Sequence, residues 1–166
     1  VIMTKAINKI MIIGVTEAGC MALAPDAHER IKAADHVFAS KRFHASIDTD
    51  GIIESWPSPF SDLTARLADI DGKIVVLATG DPLWFGVGAS LIAHFGHERC
   101  EIMPAVSGFQ MAASRMGWPL SECETITVHG RPVTGIVPYL YPRARLLVLT
   151  ANCESAVDIA ALLVDC

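Results

Sequence analysis

The sequence is poor in charge and has no long apolar run. Only 19% of its 166 residues are charged, whereas 52% are hydrophobic. That balance excludes a largely disordered chain and allows a sizeable core. The richest apolar stretches, "IMIIGV" and "RLLVLT", have strand length, well short of the ~18 residues of a membrane span. The opening "VIMTKAINKI" lacks the apolar segment and cleavage site of a secretory signal. We therefore expect a cytoplasmic, globular protein that does not enter a membrane.

Metal frameworks and a basic surface are also missing. The five cysteines form no CxxC pair and their number is odd, so neither a disulfide framework nor a metal site is predicted. A net charge of −5 and a pI near 5.6 argue against a nucleic-acid partner, which needs a basic face. A local basic patch around an anionic small molecule remains compatible with these totals.

What the sequence does contain is an alternation of strand and helix patterns up to Gly117. This alternation predicts βαβ units and a mostly parallel α/β sheet that is covered on both faces. The predicted strands are "INKIMIIGV", "HVFAS", "GIIESW", "KIVVLAT" and "CEIMPAV". The predicted helices are "PDAHERIKAAD", "PFSDLTARLADI" with a Ser61 or Asp62 cap, "GVGASLIAHFG" and "SGFQMAASRMGW".

Beyond Gly117 the pattern changes, and we predict two lobes, residues 1–117 and 118–166. The second contains the predicted strands "TITVHGRPV" and "RARLLVLT" and the helix "ESAVDIAALLV". It is small for an independent core, and its last helix would normally lead into another strand. We therefore expect an incomplete second lobe in a chain that is a fragment of a longer protein.

Three loops rich in small residues follow predicted strands: "GVTEAGC", "TGDPLWFGVG" and "PAVSGF". In open parallel sheets ligands bind outside the carboxyl ends of the strands, and glycine lets backbone approach a ligand closely. Neither GxGxxG nor GxxxxGK[ST] is present, so a phosphate cradle is not supported. An ordinary turn explains Gly80-Asp81-Pro82 equally well. From the residues alone, the loops predict a small-molecule cleft and no more.

Four segments, in order, resemble the tetrapyrrole methylases, S-adenosylmethionine-dependent enzymes of corrin and siroheme synthesis. "ATGDPLWFGVG" is similar to their GDPxxxGxG loop, and "PAVSGFQMAASRMGW" to their P-x-[VI]-[ST] loop and helix. "ITVHGRP" resembles a segment of the precorrin-6Y C(5,15)-methyltransferase branch, and "RLLVLT" a strand of the second lobe. The resemblance runs from about Ile10 to Leu163. The first loop departs from this branch's G-x-G-E-D-G, since "GVTEAG" has Thr16 and Ala18 in place of Gly and Asp.

The resemblance implies a two-lobed tetrapyrrole methylase fold, usually a homodimer, with S-adenosylmethionine as methyl donor between the lobes. It implies methylation of carbon 5 of a precorrin in cobalamin biosynthesis. The carbon-15 methyltransferase and decarboxylase activity of fused members would then belong to another domain or partner. The implied donor-binding residues are Thr79, Gly80, Asp81, Trp84, Ser107, Gly108 and Thr150.

An anionic tetrapyrrole substrate needs arginine forks for its carboxylates, and Arg42 and Arg131 are the candidates. His129 is a candidate for moving a proton around the macrocycle. Each has a structural alternative: a solvated surface arginine, or a histidine satisfied within the fold. Trp84 and Phe85 either contact the ligand or fill the core.

Two other functions stay open at this point. One is a related methylase with a different substrate, such as an rRNA ribose or a diphthamide precursor. The other is a non-catalytic module that binds S-adenosylmethionine, which the altered first loop would suit.

Overall fold

The chain, seen in a computed structural model that describes residues 9–165, divides into two compact units. One ends at Ser107 and the other begins at Gly108. The lobe boundary predicted after Gly117 lies ten residues later in the sequence than this division. The extent of the two lobes stays a prediction. The expectations about the N-terminal segment and the end at Cys166 lie outside the described residues.

The first unit contains a five-stranded sheet with the strand order β3-β2-β4-β1-β5. All four neighbouring pairs are parallel, which confirms the predicted parallel α/β sheet. The strands are β1 (Ile10–Val15), β2 (His36–Ala39), β3 (Ile52–Ser55), β4 (Ile74–Thr79) and β5 (Cys100–Met103).

Three helices accompany this sheet: α1 (Pro25–Lys32), α2 (Asp62–Ala68) and α3 (Val87–Phe95). As predicted, Pro25 begins α1 and Gly96, at φ 84°, ends α3. Ser61 occupies the N-cap position of α2, yet its side chain makes no capping hydrogen bond. Its backbone already has helical angles, whereas a capping residue normally has an extended conformation.

The core lies on both faces of this sheet, as the sequence predicts. Every residue of β1 is buried, because side chains alternate across a strand and both faces are covered. Met11, Ile13 and Val15 join one apolar cluster, and Ile10 and Ile12 join the other.

Asp35 fixes three neighbouring strands at their amino ends. Its carboxylate accepts the Lys73 N–H at 2.7 Å, and its own N–H donates to the Lys73 carbonyl at 2.9 Å. Its carbonyl accepts the Ile52 N–H at 2.8 Å. One residue therefore ties together the entries to β2, β3 and β4.

The described residues of the second unit form one parallel pair of strands and two α-helices. The predicted strand "TITVHGRPV" is wrong beyond Thr127: Gly130 has φ 67° and Pro132 leads into a 3-10 segment, and neither conformation continues a strand. The elements of the second unit are α4 (Gly108–Met116), β6 (Glu124–Thr127), β7 (Leu146–Leu149) and α5 (Cys153–Asp165).

None of the helices in the described part of the chain is long and apolar enough to cross a membrane.

Candidate functional site

The loops after β1, β4 and β5 meet at the carboxyl edge of the sheet, because these strands are neighbours. A side chain added at Gly14 would place its Cβ 2.2 Å from the Gly80 carbonyl oxygen and 2.5 Å from the Ala105 nitrogen. The Gly80 N–H also donates to the Val15 carbonyl at 2.8 Å. Backbone atoms of three loops therefore form the floor of the candidate site.

The segment Gly80-Asp81-Pro82 forms a tight turn on this floor. Gly80 has φ 71°, a conformation that favours glycine. The Leu83 N–H donates to Asp81 Oδ1 at 2.8 Å and the Trp84 N–H donates to the Asp81 carbonyl at 3.1 Å. One oxygen of the Asp81 carboxylate therefore closes the turn, as in the ordinary-turn alternative, and its role toward a donor stays a prediction. The second oxygen is not required by that turn.

Gly86 and Gly88 let the start of α3 lie directly against this turn, since a Cβ at either would meet the Pro82 carbonyl oxygen. The Gly88 N–H donates to the Pro82 carbonyl at 2.9 Å, and a Cβ at Gly88 would lie only 2.7 Å from the same oxygen. Helix α3 thus starts in direct backbone contact with the turn, which holds the Asp81 backbone in place.

Leu83, Trp84 and Phe85 follow the turn and are 50%, 42% and 45% exposed. The alternative that Trp84 and Phe85 fill the core is therefore wrong. Phe85 has φ 55°, which is uncommon for a residue with a side chain. Such strain is found where the surrounding structure imposes it, often at ligand sites.

Ser107 lies beside Gly80 and is only 5% exposed. A Cβ at Gly80 would approach the Ser107 Cα to 3.1 Å, so these two predicted donor-binding residues are brought together. Gly108 follows directly as the first residue of α4 and belongs to the second unit.

Arg42 has one partner on the loop after β1 and another at the carboxyl end of β4. Its guanidinium donates to Glu17 Oε2 at 3.1 Å and to Thr79 Oγ1 at 2.9 Å. Its Cζ also lies 4.6 Å from the centre of the Phe43 ring. Arg42 is thus exposed yet hydrogen-bonded to Thr79, one of the predicted donor-binding residues.

Neither Glu17 nor Ser46 is among the site residues predicted from the sequence. Glu17 lies in the turn Thr16–Gly19, which the Gly19 N–H closes by donating to the Thr16 carbonyl at 2.9 Å. Ser46 Oγ accepts the Cys20 N–H at 3.3 Å and donates to the Phe43 carbonyl at 2.8 Å. The retained glutamate in "GVTEAG" was the signal available for Glu17.

The remaining candidates lie at the carboxyl ends of β6 and β7, in the second unit. His129 and Arg131 are exposed in the turn after β6, where the His129 N–H donates to Thr127 Oγ1 at 3.1 Å. Thr150 is half-buried directly after β7. Because β6 and β7 are parallel and adjacent, the three residues share one edge of that small sheet.

The chain matches the family model of the tetrapyrrole (corrin/porphyrin) methylases over residues 9–164. It is 36% identical over 160 residues to a precorrin-6Y C(5,15)-methyltransferase [decarboxylating] from Sinorhizobium sp., which covers 94% of this chain and 38% of that relative. It is 34% identical over 129 residues to a cobalt-precorrin-7 C(5)-methyltransferase from Salmonella typhimurium, covering 75% of this chain and 63% of that one. The chain thus spans less than two thirds of either relative.

Solved structures share its fold at low sequence identity. A cobalamin biosynthesis precorrin-6Y methylase from Archaeoglobus fulgidus is 21% identical with a TM-score of 0.58, over 84% of this chain and 72% of that one. A uroporphyrin-III C-methyltransferase from Thermus thermophilus, complexed with S-adenosyl homocysteine, is 21% identical with a TM-score of 0.67, over 94% and 72%. With the family model matching nearly the whole sequence, the chain belongs to the tetrapyrrole methylases.

Proposed function

We propose that the chain methylates carbon 5 of a precorrin intermediate, with S-adenosylmethionine as the donor, in cobalamin biosynthesis. The observation that carries this proposal is the overlap between two relatives. One is named for carbons 5 and 15 and is matched over 38% of its length. The other is named for carbon 5 alone and is matched over 63%. Carbon 5 is the position that both names share.

The residues present fit the donor at the carboxyl edge of the first unit. Gly14 and Gly80 let the backbone of neighbouring segments approach closely at this edge, and Asp81 offers a carboxylate oxygen that the turn does not need. A carboxylate suits an ammonium or a ribose hydroxyl, and the exposed ring of Trp84 suits a flat base. We propose that Thr79, Gly80, Asp81, Trp84 and Ser107 bind the donor, while the donor-binding roles implied for Gly108 and Thr150 stay predictions.

The donor supplies an activated methyl group on a sulfonium, which an electron-rich carbon can accept in an in-line displacement. The chain's own contribution is to orient and to exclude water, effects that reach ~7–11 kcal/mol in favourable cases. Arg42 and Arg131 would hold substrate carboxylates, and His129, exposed after β6, would accept or return a proton.

The wider assembly stays a prediction. This concerns the homodimer, the carbon-15 methyltransferase and decarboxylase domain or partner, the absence of a nucleic-acid partner and the cytoplasmic location. Whether the precorrin carries cobalt is likewise open, since the two relatives' names differ on that point.

The first experiment is a calorimetric titration of S-adenosylmethionine into the purified chain and into an Asp81→Asn, Ser107→Ala double variant. The asparagine side chain keeps an oxygen that can close the turn onto Leu83, while the charge is removed. We expect micromolar binding to the wild type and a loss of about ten-fold or more in the variant. The matched control is Asp69→Ala, Ser90→Ala, two exposed residues at the end of α2 and within α3.

Equal binding by wild type and double variant would remove these residues from the donor site. Donor binding without methyl transfer to a precorrin would instead favour the non-catalytic module, and methyl transfer to RNA or to a diphthamide precursor would favour the other related substrates.

A further inference from the structure

The Arg42 guanidinium contacts three side chains, of which two are neutral and one is charged. The Thr79 hydroxyl and the Phe43 ring are neutral, and they fix the guanidinium from β4 and from its own 3-10 segment (Lys41–Ser46). The Glu17 carboxylate is the charged contact. An arginine fork oriented by neutral partners and closed by one carboxylate already has the geometry of a carboxylate-binding site.

The backbone of the turn that carries Glu17 is held by contacts other than the ion pair. Gly19, at φ 62°, closes the turn that carries Glu17. Ser46 Oγ joins that turn to the 3-10 segment that carries Arg42, through the Cys20 N–H and the Phe43 carbonyl. The backbone that carries the carboxylate therefore stays beside Arg42 whether or not the ion pair is formed.

The ion pair itself is exposed and easily exchanged. The side chains of Arg42 and Glu17 are 48% and 69% exposed, and pairs of this kind contribute little in water. A ligand carboxylate that reaches the same guanidinium can therefore replace Glu17 at small cost. The Thr79 and Phe43 contacts would keep the fork oriented during the exchange.

We propose that Glu17 is an internal competitor for the Arg42 fork and is displaced by a carboxylate of the tetrapyrrole. Glu17 thereby sets the selectivity of this subsite: a substrate gains from Arg42 only by bringing a carboxylate that replaces the protein's own. This rests on the proposed function, because it assumes an anionic tetrapyrrole as the ligand. The Arg42 subsite would also lie beside the donor site. The Thr79 hydroxyl accepts a hydrogen bond from Arg42, and Thr79 directly precedes the proposed donor turn.

The test uses uroporphyrin III, a tetrapyrrole with carboxylate side chains only, titrated into the whole chain and followed by quenching of tryptophan fluorescence. We expect Glu17→Ala and Glu17→Gln to raise its affinity, with the alanine variant showing the larger gain of about two- to five-fold. Glu29→Ala is the matched control: it removes an exposed glutamate of α1 and changes the net charge equally. Circular dichroism checks that each variant is folded.

Arg42→Gln completes a double-mutant cycle. In that background Glu17→Ala should no longer raise the affinity, because the fork over which ligand and glutamate compete is gone. In the chain that keeps Arg42, raising the ionic strength should reduce the gain in affinity caused by Glu17→Ala, because salt screens the Arg42–Glu17 ion pair that this substitution removes.

Three outcomes overturn the inference: affinity unchanged or lowered in Glu17→Ala, an equal gain in Glu29→Ala, or a gain that persists in the Arg42→Gln background. Calorimetry with S-adenosylmethionine on the same variants separates this result from the proposed function. If the donor binds while neither wild type nor Glu17→Ala binds uroporphyrin III, the competitor role fails and the donor site stands. If the donor does not bind but the cycle behaves as expected, the proposed methyltransferase fails and the carboxylate fork stands.

Discussion

The two units of the chain differ in how tightly their described residues are packed. Each face of the first unit's sheet has a cluster of eleven or twelve buried residues, whereas each cluster of the second unit has three. Stability gained from apolar burial scales with the area removed from water. Substitutions of the same kind should therefore cost more in the first unit than in the second.

Glycine shows the same contrast at the level of single atoms. A Cβ at Gly14 would overlap two backbone atoms at 2.2 and 2.5 Å. In the second unit, a Cβ on any of the described glycines would find nothing within 4 Å. Glycine in the first unit permits close approach of loops, while Gly117 and Gly130, with φ of 65° and 67°, serve the direction of the chain.

The largest expected difference is between Leu77→Ala and Leu147→Ala. Leu77 is 1% exposed within a cluster of twelve residues, so its truncation should lower the free energy of unfolding by about 3–5 kcal/mol. Leu147 is 8% exposed in a cluster of three, and about 2 kcal/mol is expected there. Urea unfolding of both variants measures the difference. Equal losses would mean that the small cluster is packed as well as the large one.

Gly14→Ala comes next and is expected to lower the free energy of unfolding by about 3 kcal/mol, because the atoms in the way are backbone and cannot turn aside. Gly135→Ala is the control, since a Cβ there has open space and no positive φ. It should change stability by less than about 0.5 kcal/mol. The same urea titrations apply, and a Gly14→Ala variant as stable as the wild type would contradict the close approach of the three loops.

Removing an exposed polar contact should lower the free energy of unfolding by a similar amount in the two units. Asp35→Ala removes the acceptor of the Lys73 N–H, and Asn152→Ala removes the acceptor of the Ser155 N–H at the start of α5. Both hydrogen bonds are exposed, so each substitution should cost about 1 kcal/mol. Thermal unfolding followed by circular dichroism tests this pair. A loss at Asp35 several times that at Asn152 would show that the strand entries depend on Asp35 more than its one carboxylate contact predicts.

The smallest effect concerns the thiols. Burial raises the pKa of the Cys20 and Cys100 thiols above the ordinary 9.0, although a side-chain hydrogen bond with Ser46 at Cys20 and the charge of Arg99 at Cys100 oppose it. Cys153 in the second unit is exposed. At pH 8, a thiol reagent added to a Cys166→Ser variant should label Cys153 first and the two buried thiols last, as mass spectrometry of peptides would show.

The same pKa shifts give a direction for stability. The unfolded chain loses these thiol protons at lower pH than the folded chain, so the folded state should lose a little stability as the pH rises past about 9. Cys20→Ser, Cys100→Ser should flatten that decline. Fast labelling of Cys20 in the folded chain would contradict its burial.

Much of the fold could be predicted because alternating patterns and turn residues are local. The parallel sheet, the start of α1 at Pro25 and the end of α3 at Gly96 are all confirmed. The strand order could not be predicted, because β1 and β4 have equally apolar patterns and nothing local says which lies in the middle. The strand that was predicted to reach Val133 was overestimated, because its apolar pattern outweighed the turn at Gly130.

In the candidate site, too, the local features could be predicted from the sequence and the contacts between distant residues could not. The turn at Gly80 and Asp81 could be located from its own residues. The contacts of Arg42 could not, because its partners Glu17 and Thr79 are 25 and 37 residues away in the sequence. The use of one Asp81 oxygen to close its own turn agrees with the ordinary-turn alternative, and the role that the resemblance implies for Asp81 stays a prediction.

The position of β1 has a consequence during protein synthesis. It lies between β4 and β5, both of which leave the ribosome after it. Until they do, β1 is an apolar segment with both backbone edges open, the kind of segment that chaperones bind and that aggregates. A pause in translation before Lys73 would lengthen this interval, so codon usage between Ala39 and Lys73 should affect the yield of folded protein more than codon usage beyond Met103.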